Sequence, residues 1–308
     1  MVAVVGSSNV DLVLEVEHFT VVGETQRASS FDRFPGGKGA NQAVASRRLG
    51  TETLFLSCIG NDENGQFIER ILYQEKLSDF LIKKHSANGF AFIEVCLSTA
   101  ENRIMIYPGA NSLLTVEEVE ERITKLLFAD ILVLQNEIPL ETTVFCARKF
   151  HEAGKFVILD PAPAEGITKD IAGYVDLIMP NESEAKFLCG YSESAEILSK
   201  AIIEMGFSSV LLKMGEKGSY YNAHDGSSFF CPAFAVDAVD TTAAGDVFVG
   251  AFAAALDRRM RLRNSTRFAS AAAAISVTRK GAQTSIPVLD EVKGFLKARD
   301  HGEEARHN

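Results

Sequence analysis

The sequence predicts an α/β fold: a mostly parallel sheet with helices on both faces, and a smaller β-sheet beside it as a candidate lid. Three observations carry this. From Thr51 onward, short apolar segments alternate with segments of helical length, the rhythm of βα units. Residues 12–34, 89–95 and 103–107 instead alternate apolar and polar side chains, as half-exposed strands do. The chain has 308 residues, 46% of them hydrophobic, enough for one large domain with a sizeable core.

Taken in order, residues 2–5 form a short apolar strand that opens into Gly6-Ser7-Ser8-Asn9, with Asp11 close behind. Polar side chains just past a strand's C-terminal end line the ligand crevice of α/β sheets, although a simple Asx turn has the same look. Residues 12–35, with Gly23 among them, and 88–108 supply the strands of the candidate lid. Pro35-Gly36-Gly37-Lys38-Gly39-Ala40-Asn41 follows, its three glycines letting backbone pass close to a ligand. It is neither a P-loop, since no Ser or Thr follows Gly-Lys, nor a dinucleotide fingerprint. Asn41 opens a helix that reaches about residue 49.

Next come a strand at 53–58, a helix at 63–76, and a capping box at Thr115-Val116-Glu117-Glu118 that starts a helix to about residue 128. Strands at 131–134, 156–159, 177–179 and 208–213 end in polar loops, with a helix at 140–151 between the first two. After the first strand, Glu137 can accept from a hydroxyl; the second ends in Asp160-Pro161. After the third, Asn181 and Glu184 stand three apart at a helix start, suited either to capping or to holding Mg²⁺ through waters. Lys213-Met214-Gly215-Glu216-Lys217-Gly218 is a glycine turn between two strands, a hairpin or the edge of a nucleotide site.

The stretch Val239-Asp240-Thr241-Thr242-Ala243-Ala244-Gly245-Asp246 leads into a small-residue, apolar helix at 247–256. Unpaired N–H groups and the positive helix end make such a start an anion site. Asp246 is a carboxylate placed where anions are welcome, which suits a base beside a transferring phosphoryl group. A second buried helix at 265–277 ends in Thr278-Arg279-Lys280-Gly281, where looping carbonyls suit a monovalent cation or Gly281 merely caps the helix. Residues 299–308 are charged and read as a frayed, disordered tail.

The formal charge is −10 and no basic stripe is visible, which argues against a nucleic-acid partner. The five cysteines lie far apart with no Cys-x-x-Cys, so neither zinc nor a disulfide framework is expected. No apolar segment is long enough for a membrane span and no basic leader precedes the first strand; the expected place is the cytoplasm, with the nucleus as the alternative.

Gly36-Gly37-Lys38-Gly39-Ala40-Asn41 and Asp240-Thr241-Thr242-Ala243-Ala244-Gly245-Asp246 resemble the two signatures of the ribokinase-type (PfkB) carbohydrate kinases. Residues 5–11, 160–164, 180–185 and 271–285 resemble the ribose-phosphorylating members, and the likeness leaves out only the last dozen residues. The resemblance implies a Rossmann-like three-layer αβα domain with a β lid, two lids interlocking into a homodimer. It implies ATP-dependent phosphorylation of the 5-hydroxyl of D-ribose, with Asp246 as base and the amides of Ala243, Ala244 and Gly245 as anion hole. Asn9, Asp11, Gly37, Lys38, Asn41 and Glu137 would hold the sugar. Asn181, Lys213, Met214, Gly215, Glu216, Lys217, Gly218 and Gly245 would lie along ATP, and Asn181 with Glu184 would serve Mg²⁺. Asp240 and Ser285 side chains, with backbone oxygens of Thr242, Ser276, Arg279 and Gly281, would match a K⁺ activator site. Two departures stand out: Ala243 where the commoner motif has Gly, and Lys213 where a small hydroxyl residue is frequent. The alternatives are a kinase for fructose, 2-keto-3-deoxygluconate, deoxyribose or a nucleoside, or an inactive sugar sensor on the same fold.

Overall fold

The computed structural model describes residues 1–99, 101–191 and 193–304. In chain order, β1 (Val2–Val5) leads to β2 (Asn9–Val16), β3 (Ser30–Gly36), α1 (Lys38–Arg48), β4 (Thr53–Gly60), α2 (Glu63–Gln74) and β5 (Phe80–Lys84). Then follow β6 (Gly89–Cys96), β7 (Asn102–Tyr107), α3 (Val116–Glu120), α4 (Ile123–Leu126), β8 (Ile131–Leu134), α5 (Leu140–Glu152) and β9 (Phe156–Leu159). The remainder is α6 (Lys169–Ala172), β10 (Leu177–Ile178), α7 (Glu182–Cys189), α8 (Ala195–Glu204), β11 (Ser209–Lys213), β12 (Ser219–Ala223), β13 (Ser228–Cys231), α9 (Ala244–Asp257), α10 (Leu262–Ser276) and α11 (Leu289–Glu304).

Nine strands form the main sheet in the order β13-β12-β11-β10-β9-β8-β1-β4-β5, all parallel from β11 to β5 and antiparallel at β12 and β13. β1 is Val-Ala-Val-Val with every residue buried, the composition of a strand covered on both faces. Its side chains divide by the strand's period of two: Val2 and Val4 join the core beneath α1, α9 and α10, while Ala3 and Val5 join the core beneath α5 and α8. Helices on both sides of one sheet make three layers, so the expected α/β class and mostly parallel sheet are what the structure contains.

A second, four-stranded sheet has the order β3-β2-β6-β7. β2 pairs antiparallel with β3 and parallel with β6, and β6 pairs antiparallel with β7, so the two hairpins share one sheet. Residue 100, inside the second hairpin, lies outside the described residues.

Two expectations need correction. The helix foreseen from Thr115 to about 128 is two short helices, α3 and α4, although the capping box at Thr115 and Glu118 forms. Arg122 donates its guanidinium to the Glu118 carbonyl at 2.8 Å, the oxygen that a continuing helix would give to the Arg122 amide. That amide turns instead to Val119, three residues back, at 2.9 Å. The frayed tail does not begin at residue 299, because α11 runs to Glu304. Arg299 is anchored there, donating to the Ala235 carbonyl at 3.0 Å and lying 5.1 Å over the Phe295 ring. The rest of that expected tail, residues 305–308, lies outside the described residues.

Candidate active site

The site gathers where α1 and α9 meet at the C-terminal ends of β1, β8 and β9. The two helices approach closely because residue 250 is glycine: a Cβ there would stand 2.5 Å from the Gln42 carbonyl oxygen. Ser46 on α1 ties the contact by donating to the Gly250 carbonyl at 2.9 Å. This places Asn41 and Gln42 of α1 against Asp246 in the first turn of α9. Asn41 donates to Asp246 Oδ2 at 2.9 Å and Gln42 donates to Oδ1 at 3.2 Å.

Ala243, the N-cap of α9, has φ 59° and so sits in the left-handed region that L-residues with a Cβ avoid. The turn it makes lets Ala244 donate to the Thr241 carbonyl at 3.2 Å. Of the three amides expected to face an anion, that one is thus already shared. Among the described residues, the amides of Ala243, Gly245 and Asp246 have no acceptor within the chain. A helix start with unpaired N–H groups, lined by side chains no larger than methyl, can receive a phosphate.

The residues expected to hold a sugar converge on the other side of Asp246. Gly37 has φ 90°, and a Cβ on it would come 2.6 Å from the Asn9 amide, so glycine is needed for α1 to start this close to β2. Glu137 accepts from the Lys38 amide at 3.1 Å and from the Ser7 hydroxyl. Burial pushes the Asp11 carboxyl up to about 7, helped by the charges of Glu137 and Asp246 and opposed by Lys38. Burial likewise raises Glu137, against the pull of Lys38 and Ser7. For Lys38 burial works against the charge, yet the surrounding carboxylates of Asp246, Asp160, Glu137 and Glu184 outweigh it and hold the ammonium well above its ordinary range. Asp246 itself is raised by burial, opposed by Lys38 and reinforced by Asp160. A carboxylate moved toward neutrality is better matched to accepting a hydroxyl proton.

Sequence reasoning gave no site role to several polar residues found here. Gln42, fully buried, donates to Asp160 Oδ2 at 2.8 Å as well as to Asp246, and accepts from Gln135 at 2.6 Å. Asp160 accepts from Lys213 at 2.7 Å. Asn111 donates to Asn9 Oδ1 at 2.7 Å and fixes that side chain. The available signals were a glutamine inside an apolar helix and an aspartate closing an apolar strand; neither indicates a partner.

A cavity of about 1040 Å³ runs from Lys38, Asp160 and Asp246 past Asn181, Glu184 and Lys213 to residues 215–218, 233–236, Ala273, Ala274 and Val277. Met214, although expected along it, packs into the core. Asn181 and Glu184 form a capping box on α7: the Asn181 amide donates to Glu184 Oε2 and the Glu184 amide donates to Asn181 Oδ1, each at 2.8 Å. Among the described residues no cluster of three or more His, Cys, Asp or Glu is arranged to hold a metal ion. Glu184, Asp160 and Asp246 line the same cavity, but Asp160 and Asp246 are engaged by Gln42, Lys213 and Asn41, so a Mg²⁺ here would arrive on phosphate oxygens rather than enter a dedicated cage.

Apart from this cavity stands the Asp240 set. Its carboxylate accepts from the Thr242 amide at 2.9 Å and the Gly281 amide at 2.8 Å, clasping the loop before α9 to the loop after α10. Ser276 offers its carbonyl to the Arg279 amide at 3.0 Å, and Ser285 donates to the Ala282 carbonyl at 2.8 Å. The residues expected around a monovalent cation thus lie in these two joined loops, with both Asp240 oxygens engaged by backbone amides.

The description "pfkB family carbohydrate kinase" matches residues 1–289. The ribokinase of Haemophilus influenzae is 39% identical over 300 residues, covering 96% of this chain and 97% of that one. A crystal structure of ribokinase from Thermotoga maritima superposes with TM-score 0.90 at 45% identity, covering 96% of this chain and 99% of that one. An Arabidopsis thaliana ribokinase complexed with ribose and ATP gives TM-score 0.85 at 32% identity over 96% and 98% of the two chains. The chain belongs to the pfkB family of carbohydrate kinases.

Proposed function

From that membership we propose that the protein transfers the γ-phosphoryl group of ATP to the 5-hydroxyl of D-ribose. The observation that carries this reading is Asp246: a buried carboxylate in the first turn of α9, beside unpaired amides, with a polar sugar-class wall in front. Asn9, Asp11, Gly37, Lys38, Asn41 and Glu137 bind the ribose hydroxyls, a donor and acceptor set suited to a polyol. Asp246 takes the proton from the 5-hydroxyl. The freed oxygen bonds to the γ-phosphorus, the bond from that phosphorus to the bridging oxygen breaks, and ADP leaves. The Ala243 and Gly245 amides, which have no acceptor within the chain, offset charge on the transferring group, and the Ala244 amide joins them by leaving the Thr241 carbonyl. Asn181, residues 213–218 and Gly245 line the nucleotide.

Asn181 and Glu184 would hold Mg²⁺, which would supply charge neutralisation on the phosphates when bound. The Asp240 set would hold K⁺, whose charge would steady the loop bearing Ala243 and Ala244. The four-stranded sheet closes over the sugar and excludes water, a competing acceptor. Its edge strand β7 exposes Ile104, Met105, Ile106 and Tyr107, an apolar ridge that a second copy of the chain would cover. Among the described residues no helix is long and apolar enough to cross a membrane, and a cytoplasmic place follows as part of the reading.

An ADP-release assay across ribose, deoxyribose, fructose and adenosine, in potassium and in a large organic cation, tests this. Ribose should give the highest kcat/KM, and potassium should raise it several-fold. A better turnover of another sugar would overturn the substrate, and equal rates in both cations would remove the potassium role. Ile104→Glu with Ile106→Glu should shift the light-scattering mass from dimer to monomer.

A further inference from the structure

Lys213 carries a feature that the sugar-kinase reading alone does not explain. It ends β11, its amide donates to the Pro180 carbonyl at 2.8 Å, and it bridges to Asn181, so its root is fixed. Its ammonium reaches Asp160 at 2.7 Å, with the two side chains 13% and 2% exposed. The same nitrogen lies 3.7 Å from the point where a Cβ would stand on Gly245, so it overhangs the first turn of α9 and its unpaired amides. The cavity has two other lysines on its wall. Lys38 stands among Asp11, Glu137 and Asp246, and Lys217 pairs with Glu182 out in solvent.

A buried ion pair by itself adds little to stability, because desolvating both charges offsets their attraction. A cation at an anion-binding helix start has a clearer use. Asp160 also has a second partner: its other oxygen keeps the Gln42 amide, which holds Asp246 too. If Lys213 leaves, Asp160 is not stranded and the base is not released.

Resting on the reading of this cavity as a nucleotide-dependent kinase site, we propose that Lys213 exchanges Asp160 for the terminal phosphate of the nucleotide, and so is a phosphate-contacting catalytic residue. Its ammonium then adds positive charge beside the Gly245 and Asp246 amides as the phosphoryl group leaves ADP. Asp160 serves as its resting partner, and Gln42 keeps Asp160 and Asp246 in register throughout.

The test compares Lys213→Met and Lys213→Arg in the full chain by steady-state kinetics and by calorimetric binding of two probes, Mg-ADP and the Mg complex of a β,γ-imido ATP analogue. Lys213→Met should lower kcat/KM for ATP by about 10–100-fold and weaken the imido analogue about 5–30-fold. ADP binding and the KM for sugar should stay within about threefold, because neither reports the terminal phosphate. Lys213→Arg should recover a large part of the loss. Equal weakening of ADP and analogue, or a folded Lys213→Met with more than half of wild-type kcat/KM, would overturn the proposal. Should Lys213→Met unfold, Asp160→Asn combined with it removes both charges and should show the same contrast between probes. The binding contrast needs no sugar, so failure of ribose as acceptor in the wild type would sink the substrate assignment and leave this one standing.

Discussion

In the proposed reading, the sugar side of the cleft relies on side chains, whereas the nucleotide side relies mainly on backbone, with the Lys213 ammonium added as a side-chain cation. Around Asp246 the structure places Asp11, Lys38, Asn41, Gln42 and Glu137, mutually hydrogen-bonded or electrostatically coupled, with the carboxyl groups raised by burial. Across from them lie Ala243, Ala244, Gly245, the turn at 215–218 and the small residues 273 and 274 of α10. The difference follows from what each side must do. A polyol is recognised by matched donors and acceptors, where one missing partner leaves another buried group unpaired. A phosphate is recognised by field and N–H groups, so close approach matters more than side-chain identity.

Four substitutions can break or sharpen that contrast. The largest effect is expected at Asp246→Asn, which keeps the shape and removes the proton acceptor: kcat should fall about 10²–10⁴-fold with sugar affinity nearly kept. A variant with more than half of wild-type turnover would take the base role away from Asp246.

Next is Gly245→Ala. The added methyl would meet only Lys213, at the ordinary contact distance of 3.7 Å, so the fold accepts it. Helix propensity even favours alanine, by about 0.5–1 kcal/mol. Melting temperature should hold or rise, while kcat/KM for ATP falls by about 10-fold or more as the methyl intrudes on the phosphate. Unchanged ATP kinetics would mean that backbone approach there is not what the nucleotide side depends on.

Asp11→Asn tests the cost of charge on the sugar side. Burial raises the folded carboxyl from the ordinary aspartate range to about 7. Its favourable share of stability is therefore complete below the unfolded value and is lost as pH rises through the folded one. Relative to wild type, the amide should gain stability between about pH 4 and pH 7 and keep a constant advantage above, roughly 3–8 °C in Tm. Melting curves across pH with no widening gap would contradict the burial argument.

The smallest effect belongs to Ala243→Gly. Glycine relieves the left-handed strain at φ 59° but loses more entropy on folding, and the two terms nearly cancel. Tm should move by less than about 2 °C and kcat by less than about threefold. A tenfold change in kcat would show that this methyl shapes the anion hole.

The strand and helix rhythm was legible because apolar periodicity is local: residues 131–134 and 156–159 were placed to the residue. The helix after Thr115 was not, because the break depends on Arg122 taking a carbonyl that periodicity assigns to the backbone. The tail was misjudged since charge suggested solvent, whereas Arg299 has a docking carbonyl at Ala235. At the site, Asp246 and the glycine-rich turn could be singled out from their neighbours, but Gln42 and Asp160 could not. Their bond spans 118 residues, and the bond from Asn41 to Asp246 spans 205.

By itself the sequence determined the α/β class and singled out residues 243–246 as the helix start and carboxylate on which the proposed chemistry rests, since each depends on residues adjacent along the chain. Only the tertiary structure decided which groups share that carboxylate. Close packing of α1 on α9 at Gly250 turns Gln42 toward both acids, and β11 sets Lys213 over Gly245. Such a network is fixed by helix and strand packing across hundreds of residues, and no spacing in a one-dimensional string encodes that distance.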